Sequence, residues 1–157
     1  MNHTTIIESG TGAAVLGSCL QFVPEEGINF ERFVEEGGRL IALEGRRDLG
    51  ATEPELRTKI ESLREAHPRL ARQLEFFDKL LVWDTGRLPE KTRSEILFAL
   101  LYAIAEVDLV PDVFPEVGYT DDALVCEVVL RRHATALHEF CAASGIDWAA
   151  VSAEISA

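Results

Sequence analysis

The stretch from Asp108 to Asp122 sets the terms for any fold this chain can take. It reads Asp-Leu-Val-Pro-Asp-Val-Phe-Pro-Glu-Val-Gly-Tyr-Thr-Asp-Asp and lies between the two most apolar segments of the sequence. Proline has no N–H to donate, and it drives the residue before it into extended conformations. Val110 and Phe114, each followed by proline, therefore do not belong inside a helix. Leu109, Val110, Val113, Phe114 and Val117 are too apolar for a solvated loop, so an ordered connection packed on the core is expected. Gly118 supplies a positive φ or a close backbone approach. Thr120, Asp121 and Asp122 then stand where a helix begins. Side-chain oxygens there accept from orphan N–H groups, and carboxylates meet the positive end of the helix dipole.

The flanking segments read as the two arms of a helical hairpin. Pro89 opens the first, whose early turns carry Glu90, Lys91, Arg93 and Glu95. From Ile96 to Ala105 it is apolar on all faces, the mark of a buried central helix. The second runs apolar from Ala123 to Leu130, broken by Glu127, and becomes amphipathic through Ala134, Leu137, Phe140 and Cys141. The arms are expected at residues 89–106 and 121–143.

The signature resembles that of the YkvA-like family, a widespread domain of unknown function. The family pattern Asp-x-x-Pro-Asp-x-x-Pro-x-x-Gly-x-x-Asp-Asp is met without a gap by Asp108, Pro111, Asp112, Pro115, Gly118, Asp121 and Asp122. The upstream Leu88-Pro89 and Ala99-Leu100-Leu101-Tyr102 fit as well, so the resemblance covers Leu88 to Leu130. Two positions depart from it. Glu106-Val107 stand where the family often has Ser-Pro, and Thr120 stands where it has an apolar residue. The resemblance implies a helical domain without an established activity. It also implies possible membrane contact, since more apolar relatives of the same hairpin could lie in a bilayer.

Elsewhere helical signals recur. Asn29 caps a helix carrying Phe30, Phe33, Val34, Gly37 and Ile41, and Gly45 ends it. Gly37 falls on the apolar face, where a glycine costs about 1 kcal/mol of helix stability, so close approach by another helix is expected. Thr52 and Glu55 form a capping-box pattern around Pro54, followed by Leu56, Ile60 and Leu63. After His67-Pro68 come two ridges, Leu70, Leu74, Phe77 and Leu81 on one and Phe76, Leu80 and Trp83 on the other. Arg64, Arg69 and Arg72 belong to a solvated face with Glu61, Glu65 and Glu75 as partners. Ser144-Gly145 stops a helix, and Asp147 caps a last one through Trp148 and Val151. No segment alternates as a strand. The expected fold is all-α: a single-domain bundle of five to seven helices, with residues 1–50 an N-terminal extension packed on the core and 51–157 the helical domain.

Charge and composition narrow the function classes. A net charge of −12 opposes nucleic acid, whose phosphates need a positive surface, and equally opposes an anionic bilayer. It suits a basic partner or cations. Glu106, Asp108 and Glu127 make insertion of the hairpin into a membrane costly. The N-terminus has no basic region before its apolar residues, and no run approaches the roughly twenty residues of a span. A cytoplasmic location is expected, with membrane association as the alternative. Cys19, Cys126 and Cys141 show neither disulfide nor zinc spacing and read as buried thiols. Gly10-Thr11-Gly12 lacks the rest of a dinucleotide fingerprint and reads as a loop.

Two uses of the aspartates stay open. Asp108, Asp112, Asp121 and Asp122 could converge as an all-oxygen site for Mg²⁺, Mn²⁺ or Ca²⁺, with Glu106, Glu127 and His133 as outer members. Alternatively they hold main-chain amides as turn and cap residues, with no cofactor. His133 and His138, five apart, share no helical face and read as surface or boundary residues. Tyr102 and Tyr119 could meet near the connection. No serine-nucleophile motif is present. The favoured expectation is a small interaction or regulatory module that binds a protein partner or a second copy. A metal-dependent hydrolase is the alternative.

Overall fold

The computed structural model describes residues 29–105 and 120–157. Asp108, Pro111, Asp112, Pro115 and Gly118 of the signature lie outside the described residues, as do Glu106, Tyr119, Cys19 and the Gly10–Gly12 loop. Among the described residues the fold is all-α. Seven helices follow in order: α1 Phe30–Leu43, α2 Glu53–Leu63, α3 Pro68–Trp83, α4 Glu90–Ile104, α5 Thr120–Arg132, α6 Ala134–Ala143 and α7 Trp148–Ser156. A 3-10 turn, Gly50–Thr52, precedes α2.

Helix α4 is the axis of the bundle. Every residue from Thr92 to Ala103 is buried, as its unbroken apolar run requires, and α1, α2, α3 and α5 all pack on it. Burial also reaches back over Arg93, Ser94 and Glu95, beyond the apolar run. Of the charged residues in these early turns, Glu90 and Lys91 stay exposed while Arg93 and Glu95 are buried. No helix of the described residues is long and apolar enough to cross a membrane.

Helix α1 lies antiparallel on α4. Its Asn29 cap forms as expected, Oδ1 accepting from the Arg32 N–H at 3.1 Å. Phe33 stands edge-on to Phe98 and Tyr102, with centroids 5.4 and 5.5 Å away. At Gly37 the helices come close together: a Cβ there would lie 2.4 Å from the Phe98 ring. Gly37→Ala gains about 1 kcal/mol of helix propensity but must displace a buried aromatic ring. Overpacking of that kind costs about 1–3 kcal/mol. The expected outcome in a urea melt is a net loss of stability, with the midpoint lowered and the slope unchanged. A gain would show that the ring yields freely.

Three local expectations need correction. The Thr52/Glu55 capping box does not form: the Thr52 hydroxyl donates instead to the Leu49 carbonyl at 2.7 Å, because a 3-10 turn already occupies the helix entrance. The second arm of the hairpin is not continuous. It breaks at His133 (φ −116°, ψ 19°) into α5 and α6, where buried partners hold that residue out of helical geometry. The ridge on α3 is covered through Phe76 and Leu80, but Trp83 at its end is exposed. Other signals read true. Leu56, Ile60 and Leu63 are buried on α2. Asp147 caps α7, Oδ1 accepting from the Ala149 and Ala150 N–H groups at 3.1 and 3.5 Å. Arg64 pairs with Glu61 and Glu75, while Arg69 turns to Glu127 and Arg72 to the Glu154 carbonyl.

Candidate functional site

The hairpin register brings polar residues of α4 and α5 together at two levels. Tyr102 faces Asp121 at the foot, and Thr92 and Glu95 face Arg132 and His133 at the head. These pairings are the rungs of one antiparallel hairpin.

At the foot, the first turn of α5 carries Asp121 and Asp122, both buried. The Tyr102 hydroxyl donates to Asp121 Oδ2 at 2.5 Å, and Asp121 Oδ1 accepts from the Asp122 N–H at 3.1 Å. Lys59 Nζ of α2 lies 3.8 Å from Asp122 Oδ2. A hydroxyl, a main-chain amide and an ammonium thus serve this pair. Among the described residues no group of three or more His, Cys, Asp or Glu side chains is placed to hold a metal ion. Cys126, on the same helix, is a buried thiol whose ionisation burial pushes well up, assisted by the charges of Asp122 and Glu127. Cys141 is buried too, and burial raises its thiol likewise. Neither is a ready nucleophile.

At the head, Glu95 is the hub. It is 1% exposed. Arg132 grips it with two prongs, Nε to Oε1 at 2.8 Å and Nη2 to Oε2 at 3.0 Å. His133 Nε2 lies 2.7 Å from Oε1, and His133 Nδ1 lies 2.9 Å from the Thr92 hydroxyl. Because Nε2 faces a carboxylate, that nitrogen carries the hydrogen, and in a neutral ring Nδ1 accepts from Thr92. Burial works against the charge of Glu95, but the His133 and Arg132 hydrogen bonds outweigh it and hold the carboxyl below its ordinary value of 4.5. His133 is therefore buried rather than a surface residue. His138 is exposed and stacks on Trp148, 6.3 Å between centroids.

Hydroxyl, imidazole and carboxylate in that order are the parts of a hydrolytic triad. Access is arranged the other way round. Thr92 is 1% exposed, and the adjoining cavity reaches Glu95 but not Thr92. No substrate meets the hydroxyl, and both carboxylate oxygens are committed to Arg132 and His133. The constellation is a polar clamp that joins α4 to the α5–α6 break. The sequence reading missed it; the only traces it leaves there are a threonine and a glutamate three apart at the edge of an apolar run and an Arg-His pair in the other arm, neither of which gives the pairing.

A second buried pair sits on the α3–α4 turn. Asp84 Oδ1 accepts from the N–H groups of Gly86, Arg87 and Leu88 at 2.9, 2.8 and 3.1 Å, while its Oδ2 holds the buried Arg93 guanidinium.

Residues 92–127 match a family model described as a protein of unknown function (DUF1232). The match is to the hairpin alone. It starts at Thr92 of the clamp, spans the connection, and ends in the middle of α5. No curated protein and no solved structure matches the chain.

Proposed function

We propose that this chain is a YkvA-like domain that serves as a small interaction or regulatory module. The observation that carries this is apolar exposure: among the described residues, three of the four large exposed apolar side chains close helices near the start of α4, and the fourth, Leu124, lies near the start of α5. Leu43 closes α1 at 70% exposure, and Val82 and Trp83 close α3 at 74% and 43%. Arg47, just past α1, reaches Glu90 at the start of α4, and the Asp84 turn joins the end of α3 to the same place. Large side chains left in water where chains turn are candidates for contact with another surface, and tryptophan is a frequent anchor there. A second copy is the occupant to test first, since closed two-fold pairs are the commonest assemblies.

Light scattering after size exclusion, over a range of concentrations, tests it. The wild type is expected to weigh more than one chain at high concentration. The double variant Leu43→Asp and Val82→Asp should weigh one chain while melting within about 0.5 kcal/mol of wild type, as exposed substitutions do. A wild type that stays monomeric and captures no partner would overturn the reading.

The metal-dependent hydrolase is a second reading, favoured by one observation: Asp121 and Asp122 are buried side by side. Melting with EDTA, Mg²⁺, Mn²⁺, Ca²⁺ and Zn²⁺, alongside Asp122→Asn, separates the two. A cation at a hundred times its Kd adds about 2.7 kcal/mol. Stabilisation of wild type alone would support metal. An earlier-melting variant with no metal response would leave the aspartates structural.

A further inference from the structure

Helix α7 is held on the bundle mainly by its two ends. Of its nine residues, Trp148 to Ser156, one is buried, Ile155. Ala149, Ala150, Ala153 and Glu154 stand in solvent. Its main neighbours are α3 and α6. At the start the hold is aromatic: the Trp148 ring lies 6.4 Å from Phe76 of α3 and 6.3 Å from His138 of α6, between centroids. At the end it is polar. A helix leaves its last four carbonyls without partners of its own, and α3 supplies two. Arg72 Nε donates to the Glu154 carbonyl at 2.9 Å, and Gln73 Nε2 to the Ile155 carbonyl at 3.0 Å. Gln73 is itself buried, and the same nitrogen donates to Glu127 Oε2 of α5 at 2.9 Å. One buried amide thus ties the last helix to the hairpin.

Elements with few buried apolar contacts and a solvent-exposed backbone open at lower free energy than the core. Helix α7 stands at that end of the scale, and α4, buried from Thr92 to Ala103, at the other. The connection to α7, residues 144–147, turns at Gly145, whose φ is 75°. No atom lies within 4 Å of where a Cβ would stand there. The chain can therefore swing at this point without clearing a neighbour.

We propose that α7 is a latch: it lifts from α3 as one unit, turning on Gly145, while the rest of the bundle stays folded. Closed, it is held by the Arg72 and Gln73 catches. Open, it takes from Gln73 one of its two acceptors and from Phe76 its Trp148 neighbour, and a face of α3 that the closed state hides meets water. The device does not depend on the oligomeric state tested above.

The experiment is native-state hydrogen exchange on the full chain, followed by NMR at low urea concentrations. The amides of α7 from Val151 onward are expected to share one opening, less protected than the centre of α4 and with a smaller urea slope than global unfolding. Ile96→Val trims a fully buried side chain of α4 that stays packed while α7 lifts. It should lower protection in α4 about fivefold and leave α7 unchanged. Arg72→Ala removes one catch and should lower α7 protection about fivefold, the worth of one hydrogen bond. Ile155→Asp should hold the latch open: α7 resonances move to random-coil positions while α4 stays dispersed and the melt stays cooperative. An equal loss in α7 and α4 on Ile96→Val would overturn the proposal, because the helix would then unfold only with everything else. So would α7 amides that exchange one by one without a urea slope, which is fraying. Unchanged α7 protection in Arg72→Ala, or collapse of the whole bundle in Ile155→Asp, would overturn it as well.

Discussion

Glu95→Ala is expected to destabilise the fold by about 3–5 kcal/mol, the usual cost of removing one partner from a buried ion pair. The substitution strands the Arg132 guanidinium and the His133 Nε2 hydrogen beside α4. It also opens space against Gly38, where the Glu95 stem now packs. Arg132 keeps only its longer approach to Glu31, at 3.6 Å. Chemical denaturation of wild type, Glu95→Gln and Glu95→Ala measures the effect. Gln keeps the stem and one acceptor, so it should fall between the other two. A loss under about 1 kcal/mol for Ala would mean that Arg132 swings out to water and the clamp is dispensable.

The same carboxylate gives stability a pH dependence of fixed sign. Glu95 titrates below its ordinary value of 4.5 in the folded chain, so the unfolded chain binds more protons in that window. Its contribution is complete above about pH 4.5 and is lost as the pH falls through the depressed folded value. Asp84 acts with the same sign. Burial opposes its charge, yet the Leu88 and Gly86 N–H groups and the Arg93 guanidinium hold it below its ordinary 3.8. Melting temperatures should therefore drop on acidification. Glu95→Gln, which lacks the titrating group, should show a flatter acid limb.

Asp84→Ala is the second large loss, again about 3–5 kcal/mol. One side chain here ties three backbone N–H groups of the α3–α4 turn and neutralises Arg93, whose side chain is 6% exposed. Removing it leaves a buried cation and frees the turn that aims α3 at α4. The effect should be asymmetric. Arg93→Met leaves Asp84 with its three amide donors and places an apolar chain in an apolar site, so it should cost clearly less than Asp84→Ala. Equal losses would show that the charge pair, not the turn, carries the energy.

Much of the hairpin was legible before any coordinates. The apolar run of α4 can only be satisfied by neighbours on every side, and it has them. Gly37 on an apolar face announced a close helix contact, and Phe98 is that contact. Asn29 and Asp147 were readable because a cap is a local event, decided within three residues. The clamp was less legible. Glu95 and Arg93 read only as charges in the early turns of a helix, and His133 as a surface or boundary residue. Their burial depends on how α1 and α5 lie across the head of α4, which no local spacing encodes. Thr52 failed for a local reason: its hydroxyl is turned to the Leu49 carbonyl of the 3-10 turn before α2.

The helical class, the central arm, the caps at Asn29 and Asp147, and the glycine at a close helix crossing could all be read from the residues alone. Those follow from periodicity and local hydrogen bonding, which act over a few residues. Tertiary packing settled which charges are buried and that the second arm breaks at His133. A charge goes inside a protein only when its partner arrives from another helix. Which partner arrives is a property of packing, not of the segment that carries the charge.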